Sequence, residues 1–151
     1  MILRSATLDD LRAASSWVSS QRETDLWTGG KVMYPIDFHQ MVEAILWSEA
    51  GNHALGMDHL LAFGQVITKD SGRRHLSRLI VNPARRGEGL GRQLLAGLLE
   101  AAIASGAVVA SLNVDPLNET AIRLYERLGF RANPESPHAE PARFIYMEYT
   151  P

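Results

Sequence analysis

The sequence predicts an α/β fold with a central mixed sheet flanked by helices, on three observations. Leu90, Leu94, Leu95, Leu98, Leu99, Ala102 and Ile103 form one apolar stripe at helical spacing. The run Arg74 to Val81 before this helix reads as a strand, and the almost wholly apolar run Ala107 to Val114 after it reads as a strand buried on both faces. A strand–helix–strand unit around a buried strand implies parallel pairing with helices laid on the sheet.

The other elements are taken in chain order. Met1 to Thr7 reads as a short first strand, and Thr7 or Asp9 can cap a helix through about Ser20, with Leu11, Ala14, Trp17 and Val18 on one face. Gln21 to Pro35 reads as a long irregular stretch. A second helix is expected from Asp37 to Ser48, with Met41, Ile45 and Leu46 spaced for burial. His53 to Met57 is a weak strand, His59 to Thr68 a better one, and Asp70-Ser71-Gly72 a turn. Ser105-Gly106 ends the long helix. Asn118 is placed as the N-cap of a further helix, with Leu117 and Ile122 as its hydrophobic staple and Gly129 as its stop. Phe130 begins an extended segment, and Ala142 to Tyr149 is a final strand in which Phe144, Tyr146 and Glu148 alternate with Ile145, Met147 and Tyr149.

The chain has 151 residues, 46% apolar and 21% charged, which suits one domain with a sizeable core. It has no Cys, so no disulfide, thiolate metal site or cysteine nucleophile is available. His39, His53, His59 and His138 lack metal-ligand spacing, so no metal is assigned. The net charge of −2 gives no reason to expect nucleic acid as a partner. No apolar run reaches membrane-spanning length, and the expected setting is cytoplasmic, away from membranes. Residues 1–70 are net acidic and 71–151 net basic, an asymmetry that would let the first half attract a cationic acceptor or that simply reflects solvated faces.

The most informative segment runs from Leu79 to Arg92. A strand passes Pro83 into Arg85 and Arg86, then Gly87, Gly89 and Gly91, and then the long helix. Glycines there admit a ligand close to the backbone, and the N–H groups and dipole of a helix start suit a phosphate or pyrophosphate. The Walker pattern fails because no Lys follows the glycines, and G-x-G-x-x-G fails in both frames, at Arg92 and at Leu94. The alternative is an ordinary strand-to-helix turn that uses glycine for geometry.

The run Arg86-Gly87-Glu88-Gly89-Leu90-Gly91 resembles motif A, R/Q-x-x-G-x-G/A, of the GNAT acyltransferase superfamily. Asn118, Ala121, Leu124, Tyr125, Gly129 and Phe130 resemble its motif B, N-x-x-A-x-x-L-Y-x-x-x-G-F. The similarity runs from about Leu76 to Phe130, and the first 70 residues match in layout alone. It implies an acetyl-CoA-dependent N-acetyltransferase in which the loop, with Arg92, holds the pyrophosphate. The pantetheine arm would then lie between Arg74–Val81 and Ala107–Val114, on backbone groups of Leu79, Ile80 and Val81, with Asn118 against it. The acceptor amine attacks the thioester directly.

That reaction sets two chemical needs. An alkyl amine has a pKa of about 10.4, so finding it neutral at pH 7 costs roughly 4–5 kcal/mol, and its proton must leave to a base or to water. The departing thiolate needs a donor, which a Tyr hydroxyl can supply. The resemblance gives that role to Tyr125, whose alternative is a core tyrosine beside Leu128. Where one branch of the family, acting on protein N-termini, carries a Glu base, this chain has Asn113. Where another, acting on lysine, carries a Glu, it has His75, which titrates near neutrality or is simply structural. Glu23 and Asp25 are weaker candidates. Trp27 and Tyr34 fall where the family builds its acceptor pocket, and either hold an amine by cation–π contact or pack the loop.

The expected function is acetylation of a small-molecule amine. A protein or peptide acetyltransferase and a non-catalytic acyl-CoA-binding module are the rivals, and a homodimer is left open.

Overall fold

The computed structural model describes residues 3–70 and 72–151, so Met1 and Ile2 of the expected first strand and Ser71 of the expected turn lie outside the described residues. The described elements are β1 (Leu3–Ser5), α1 (Leu8–Ser15), α2 (Gln21–Thr28), α3 (Phe38–Ala44), β2 (Gly51–Leu55), β3 (Ala62–Thr68), β4 (Arg73–Val81), α4 (Leu90–Ala104), β5 (Val109–Val114), α5 (Glu119–Arg127), β6 (Arg131–Ala132) and β7 (Ile145–Tyr149), with a 3₁₀ turn at Pro83–Arg85. The strands form one sheet in the order β1-β2-β3-β4-β5-β7-β6. Only the β4–β5 pairing is parallel, as the strand–helix–strand reading of this segment requires.

Two cores lie on opposite faces of this sheet. The α4 stripe packs on Leu76, Ala110, Leu112, Val114 and Met147, with Tyr125 of α5 and its C-cap Leu128 at its margin. On the other face Leu11, Trp27 and Met41 from the first three helices and Ile45 just after α3 pack on Ala54, Phe63 and Ile80. The indole of Trp27 meets Phe63 edge-on and that of Trp47 stacks on it.

Several expectations change. The first helix stops at Ser15, and the stretch read as irregular contains α2. Ser20 caps α2 by accepting from the Glu23 N–H, and Gly29, at φ 72°, ends it in the left-handed region. The third helix ends at Ala44, and Leu46 sits at φ 56°, 40% exposed rather than buried. Asn118 does cap α5, accepting from the Ala121 N–H, but Leu117 is 80% exposed and forms no staple with Ile122. Val108 and Ile103, read as core, are exposed: Val108 precedes the paired part of β5, and Ile103 sits at the end of α4 on the edge of its apolar stripe.

A bulge in β4 sets which way its side chains point. Phe63 pairs with Ile80 and Gln65 with Ser77, so β4 carries one residue more than β3 across this step. Arg78 absorbs it at φ 52°, a left-handed conformation that a non-glycine residue adopts at a cost of about 1–2 kcal/mol. The insertion reverses the alternation of the strand. Before it Leu76 packs on the α4 core, and after it Leu79 and Val81 do, while Ile80 faces the helices of the first half.

Candidate active site

The β4–β5 ladder holds only at its beginning. Arg73, Arg74 and His75 pair with Val109, Ala110 and Ser111, and beyond them the two strands part. The rest of β4 is bonded to β3 on one edge and has no strand partner on the edge toward β5. Leu79 from β4, Leu112 and Val114 from β5, and Asn118 and Tyr125 from the α5 segment line a cavity of about 700 Å³ that opens from this gap.

The α4 side of the gap holds the glycine loop. Gly87 and Gly89 lie at φ 84° and 79°, so both need glycine for conformation. A Cβ added at either would meet nothing within 4 Å and would project into open space. Gly89 is the N-cap of α4 and supplies no side chain, so the N–H groups of Leu90, Gly91 and Arg92 face outward without a side-chain cap. A Cβ on Gly91 would lie 3.8 Å from Leu124 and 3.9 Å from Val81, which places the start of α4 beside α5 and the end of β4. Arg86 and Arg92 are exposed, and the Glu88 carboxylate is held by Arg85 at 2.9 Å. These free N–H groups, the open side of the glycines and the nearby guanidinium groups fit a pyrophosphate. The loop lies outside the cavity lining, as do Ile80, which is buried, and Val81.

Tyr125 reaches the cavity from α5. Its ring contacts Phe130, its hydroxyl has no hydrogen bond within the described protein, and burial raises its pKa above the ordinary range. It therefore remains a proton donor at every physiological pH.

On the opposite face Arg73, His75, His138 and Tyr146 line the cavity, held by polar partners behind them. His75 Nδ1 lies 2.7 Å from Ser111 Oγ, which accepts from Arg73 Nη1 at 3.2 Å. Tyr146 donates to Glu148 Oε2 at 2.9 Å, and Asn133 donates to Glu148 Oε1. Arg73 Nη2 is 3.3 Å from His138, while its Nε is buried without a hydrogen-bond partner and lies 3.7 Å from Asp70. Of the two readings of His75, titration near neutrality does not hold. Burial, reinforced by the charges of Lys69, Arg73 and Arg78, pushes its pKa down to about 3, so its ring is neutral throughout the physiological range.

The structure brings Trp27, His75, Leu79, Asn118 and Tyr125 to one cavity. Trp27 is nonetheless 7% exposed, and its indole N–H donates to the Arg78 carbonyl at 2.9 Å, a contact that braces the bulge. Tyr34 is absent from the lining and 40% exposed; its backbone N–H is bonded to Gln21. Glu23 accepts from Ser19 at the start of α2, and Asp25 accepts from Gln21; neither lines the cavity.

Sequence reasoning missed Ser111, Tyr146 and Glu148. The signal was present: Ser111 is a polar residue in an apolar strand, and Tyr146 and Glu148 share one face of β7. Their registers, Ser111 with Glu148 and Asn113 with Tyr146, bring those faces together.

The acidic surplus of residues 1–70 does not reach the cavity. The charged residues of that half in its lining are Arg22, Lys31 and Lys69, all basic. The sequence balance averaged over helices and turns whose carboxylates face solvent. Among the described residues no group of three or more His, Asp or Glu could hold a metal, and no helix is long and apolar enough to cross a membrane.

The sequence matches the profile of the acetyltransferase (GNAT) family over residues 14–130. It is 39% identical over 57 residues to L-methionine sulfoximine/L-methionine sulfone acetyltransferase of Salmonella typhimurium, an alignment covering 38% of this chain and 33% of that protein. The alignments span a third or less of the length of the curated relatives this chain matches. Its fold superposes on the PaiA N-acetyltransferase of Thermoplasma acidophilum, solved with coenzyme A, with TM-score 0.73 and 15% identity over 99% of this chain and 98% of that one. It also superposes on the aminoglycoside acetyltransferase AAC(6′)-Ib, solved with coenzyme A, with TM-score 0.73 and 21% identity over 99% of this chain and 94% of that one. The parted strands, the uncapped glycine loop and the match over most of the sequence place this chain in the acetyltransferase (GNAT) family, whose enzymes take their acetyl group from acetyl-CoA.

Proposed function

We propose that this chain is an N-acetyltransferase of one domain, residues 1–151, that moves the acetyl group of acetyl-CoA to the primary amine of a small molecule within a ternary complex. The observation that carries this reading is the parting of β4 and β5 just beyond the His75–Ser111 pair, between an unbonded Tyr125 hydroxyl and a polar cavity.

Bound acetyl-CoA supplies an activated acetyl group as a thioester. Backbone N–H groups from Gly87 to Arg92, with Arg86 and Arg92, hold the pyrophosphate; Glu88 contributes its backbone, because its carboxylate is spent on Arg85. The free edge of β4 at Leu79, Ile80 and Val81 aligns the pantetheine arm, with Asn118 across the gap. Tyr125 donates its hydroxyl proton to the departing thiolate, a general-acid contribution of roughly 10²–10⁴ in rate.

His75 cannot keep a proton at neutral pH, so it orients the amine as a hydrogen-bond acceptor and Trp27 walls the space beside it. The cavity itself favours the neutral amine. Burial and the charges of Arg78, Lys69 and Arg143 already hold the Lys31 ammonium below its ordinary range, and an entering ammonium meets the same field. One proton then leaves to water before attack, and the second, shed by the nitrogen as the amide forms and the C–S bond breaks, restores the Tyr125 hydroxyl through water.

Acetyl-CoA titration by calorimetry, followed by thiol release with a panel of amines, tests the proposal. Binding together with amine-dependent thiol release is expected. Binding without release from any amine would leave only a binding module, and no binding would refute the loop assignment.

A further inference from the structure

The cavity carries a surplus of positive charge. Six Lys and Arg side chains line it against two carboxylates, Asp115 and Glu140. Two of the six are matched: Arg73 lies 3.7 Å from Asp70 and Arg143 lies 3.7 Å from Glu140. Lys31, Lys69 and Arg78 form no ion pair among the described residues. They come from three separate places, the segment after α2, the end of β3 and the bulge of β4, yet Lys31 feels the charges of both others. Arg78 is the most costly of them. It is half-buried, its backbone is left-handed, and among the described residues its one side-chain hydrogen bond is a long one of 3.4 Å to Gln65.

These cations line the cavity, whereas the glycine loop does not. Gln65 also bonds the Ile45 carbonyl at the end of α3, and Trp27 of α2 holds the Arg78 carbonyl. The cluster therefore lies on the face of the first three helices, across the sheet from α4 and the glycine loop. A cavity of this sign repels a bare alkylammonium and repels a polyamine more strongly.

Resting on the acetyltransferase reading, we infer that the acceptor is a small primary amine that also carries an anionic oxygen group, held by Arg78, Lys31 and Lys69 while its amine faces His75 and the thioester. Carboxylate, phosphate and sulfonate share this chemistry. The anion offsets the repulsion on entry, and a guanidinium offers it a two-pronged contact. This chain would then differ in acceptor charge from an aminoglycoside acetyltransferase, whatever their likeness in fold.

The test is thiol release by the full chain at saturating acetyl-CoA with matched acceptors: L-amino acids and their carboxamides, O-phosphoethanolamine, taurine, n-propylamine and spermidine. The best anionic amine should exceed its neutral counterpart and spermidine at least tenfold in kcat/KM, and the three arms identify the anion. Lys31→Gln and Lys69→Gln should each raise KM for that acceptor several-fold without changing KM for acetyl-CoA. Lys31→Arg should restore it, and the Lys31→Glu/Lys69→Glu double variant should move preference toward spermidine. Equal or better use of carboxamides or spermidine by the unaltered chain would overturn the inference while leaving the acetyltransferase reading standing. So would a rise in acetyl-CoA KM in place of the acceptor's.

If no amine is acetylated, the enzymatic reading fails, and calorimetry with CoA present and the N-acetylated forms of the anionic amines as probes still decides the site. Binding that is lost in Lys31→Gln supports it, and no binding overturns it.

Discussion

The two faces of the gap between β4 and β5 are built by different means. The α4 face is made of contiguous sequence: β4 runs into the glycine loop, the loop into α4, and α5 comes within one strand of it. The opposite face is assembled from α2, the bulge of β4, Ser111 of β5 and two residues of β7, together with Lys31 and Lys69. The first face offers backbone geometry, glycines at positive φ and a helix start, to the proposed donor. The second uses side chains and net positive charge, which can change one residue at a time. Under the proposed function, donor chemistry would be fixed by local structure and acceptor choice by placement.

The largest expected effect lies on the first face. Gly89→Glu puts a carboxylate into the open space beside the loop and strains a backbone at φ 79°. Acetyl-CoA affinity should fall at least a hundredfold by calorimetry, while the circular dichroism of the fold is kept, since an added Cβ meets no protein atom. Retained affinity would separate the loop from the donor.

Tyr125→Phe probes the seam between the faces. Turnover should drop by about 10²–10⁴ with the acetyl-CoA dissociation constant within about twofold. An unchanged rate would remove the hydroxyl from the reaction.

His75 probes the second face through stability. Its native pKa of about 3 lies below the ordinary 6.5, so the unfolded chain takes up the proton first as pH falls. No stability is at stake above pH 6.5, and between 6.5 and 3 the native state loses about 1.4 kcal/mol per pH unit. Denaturant titrations at pH 7 and pH 5 should show this loss, and His75→Gln should flatten it. His53, also pushed down by burial, adds a loss of the same sign. An unchanged slope in His75→Gln would mean that the imidazole is open to solvent.

The smallest effect is expected at Leu117, which the sequence pattern places in a staple. At 80% exposure, Leu117→Ser should change stability by less than about 0.5 kcal/mol in the same titration.

Legibility in the sequence divides along the same line. The α4 stripe, the Asn118 cap and the glycine loop carry their signals within a few residues, and the structure places each accordingly. Helix α2 is hidden because its eight residues are mostly polar and its signal is in its caps, Ser20 and Gly29. The neutral state of His75 is illegible because it depends on burial and on Lys69, Arg73 and Arg78, brought together by strand pairing. The sign of the cavity escapes the sequence for a related reason. Charge summed over half of a chain says nothing of which few side chains a fold turns inward, and here these are Arg22, Lys31 and Lys69.

The central claim, direct transfer across the gap in a ternary complex, is tested most directly by initial rates with acetyl-CoA and an accepted amine varied together. Intersecting double-reciprocal lines are predicted, because both substrates must be bound and no cysteine exists to carry the acetyl group. Parallel lines, or thiol release that does not depend on the amine, would contradict it.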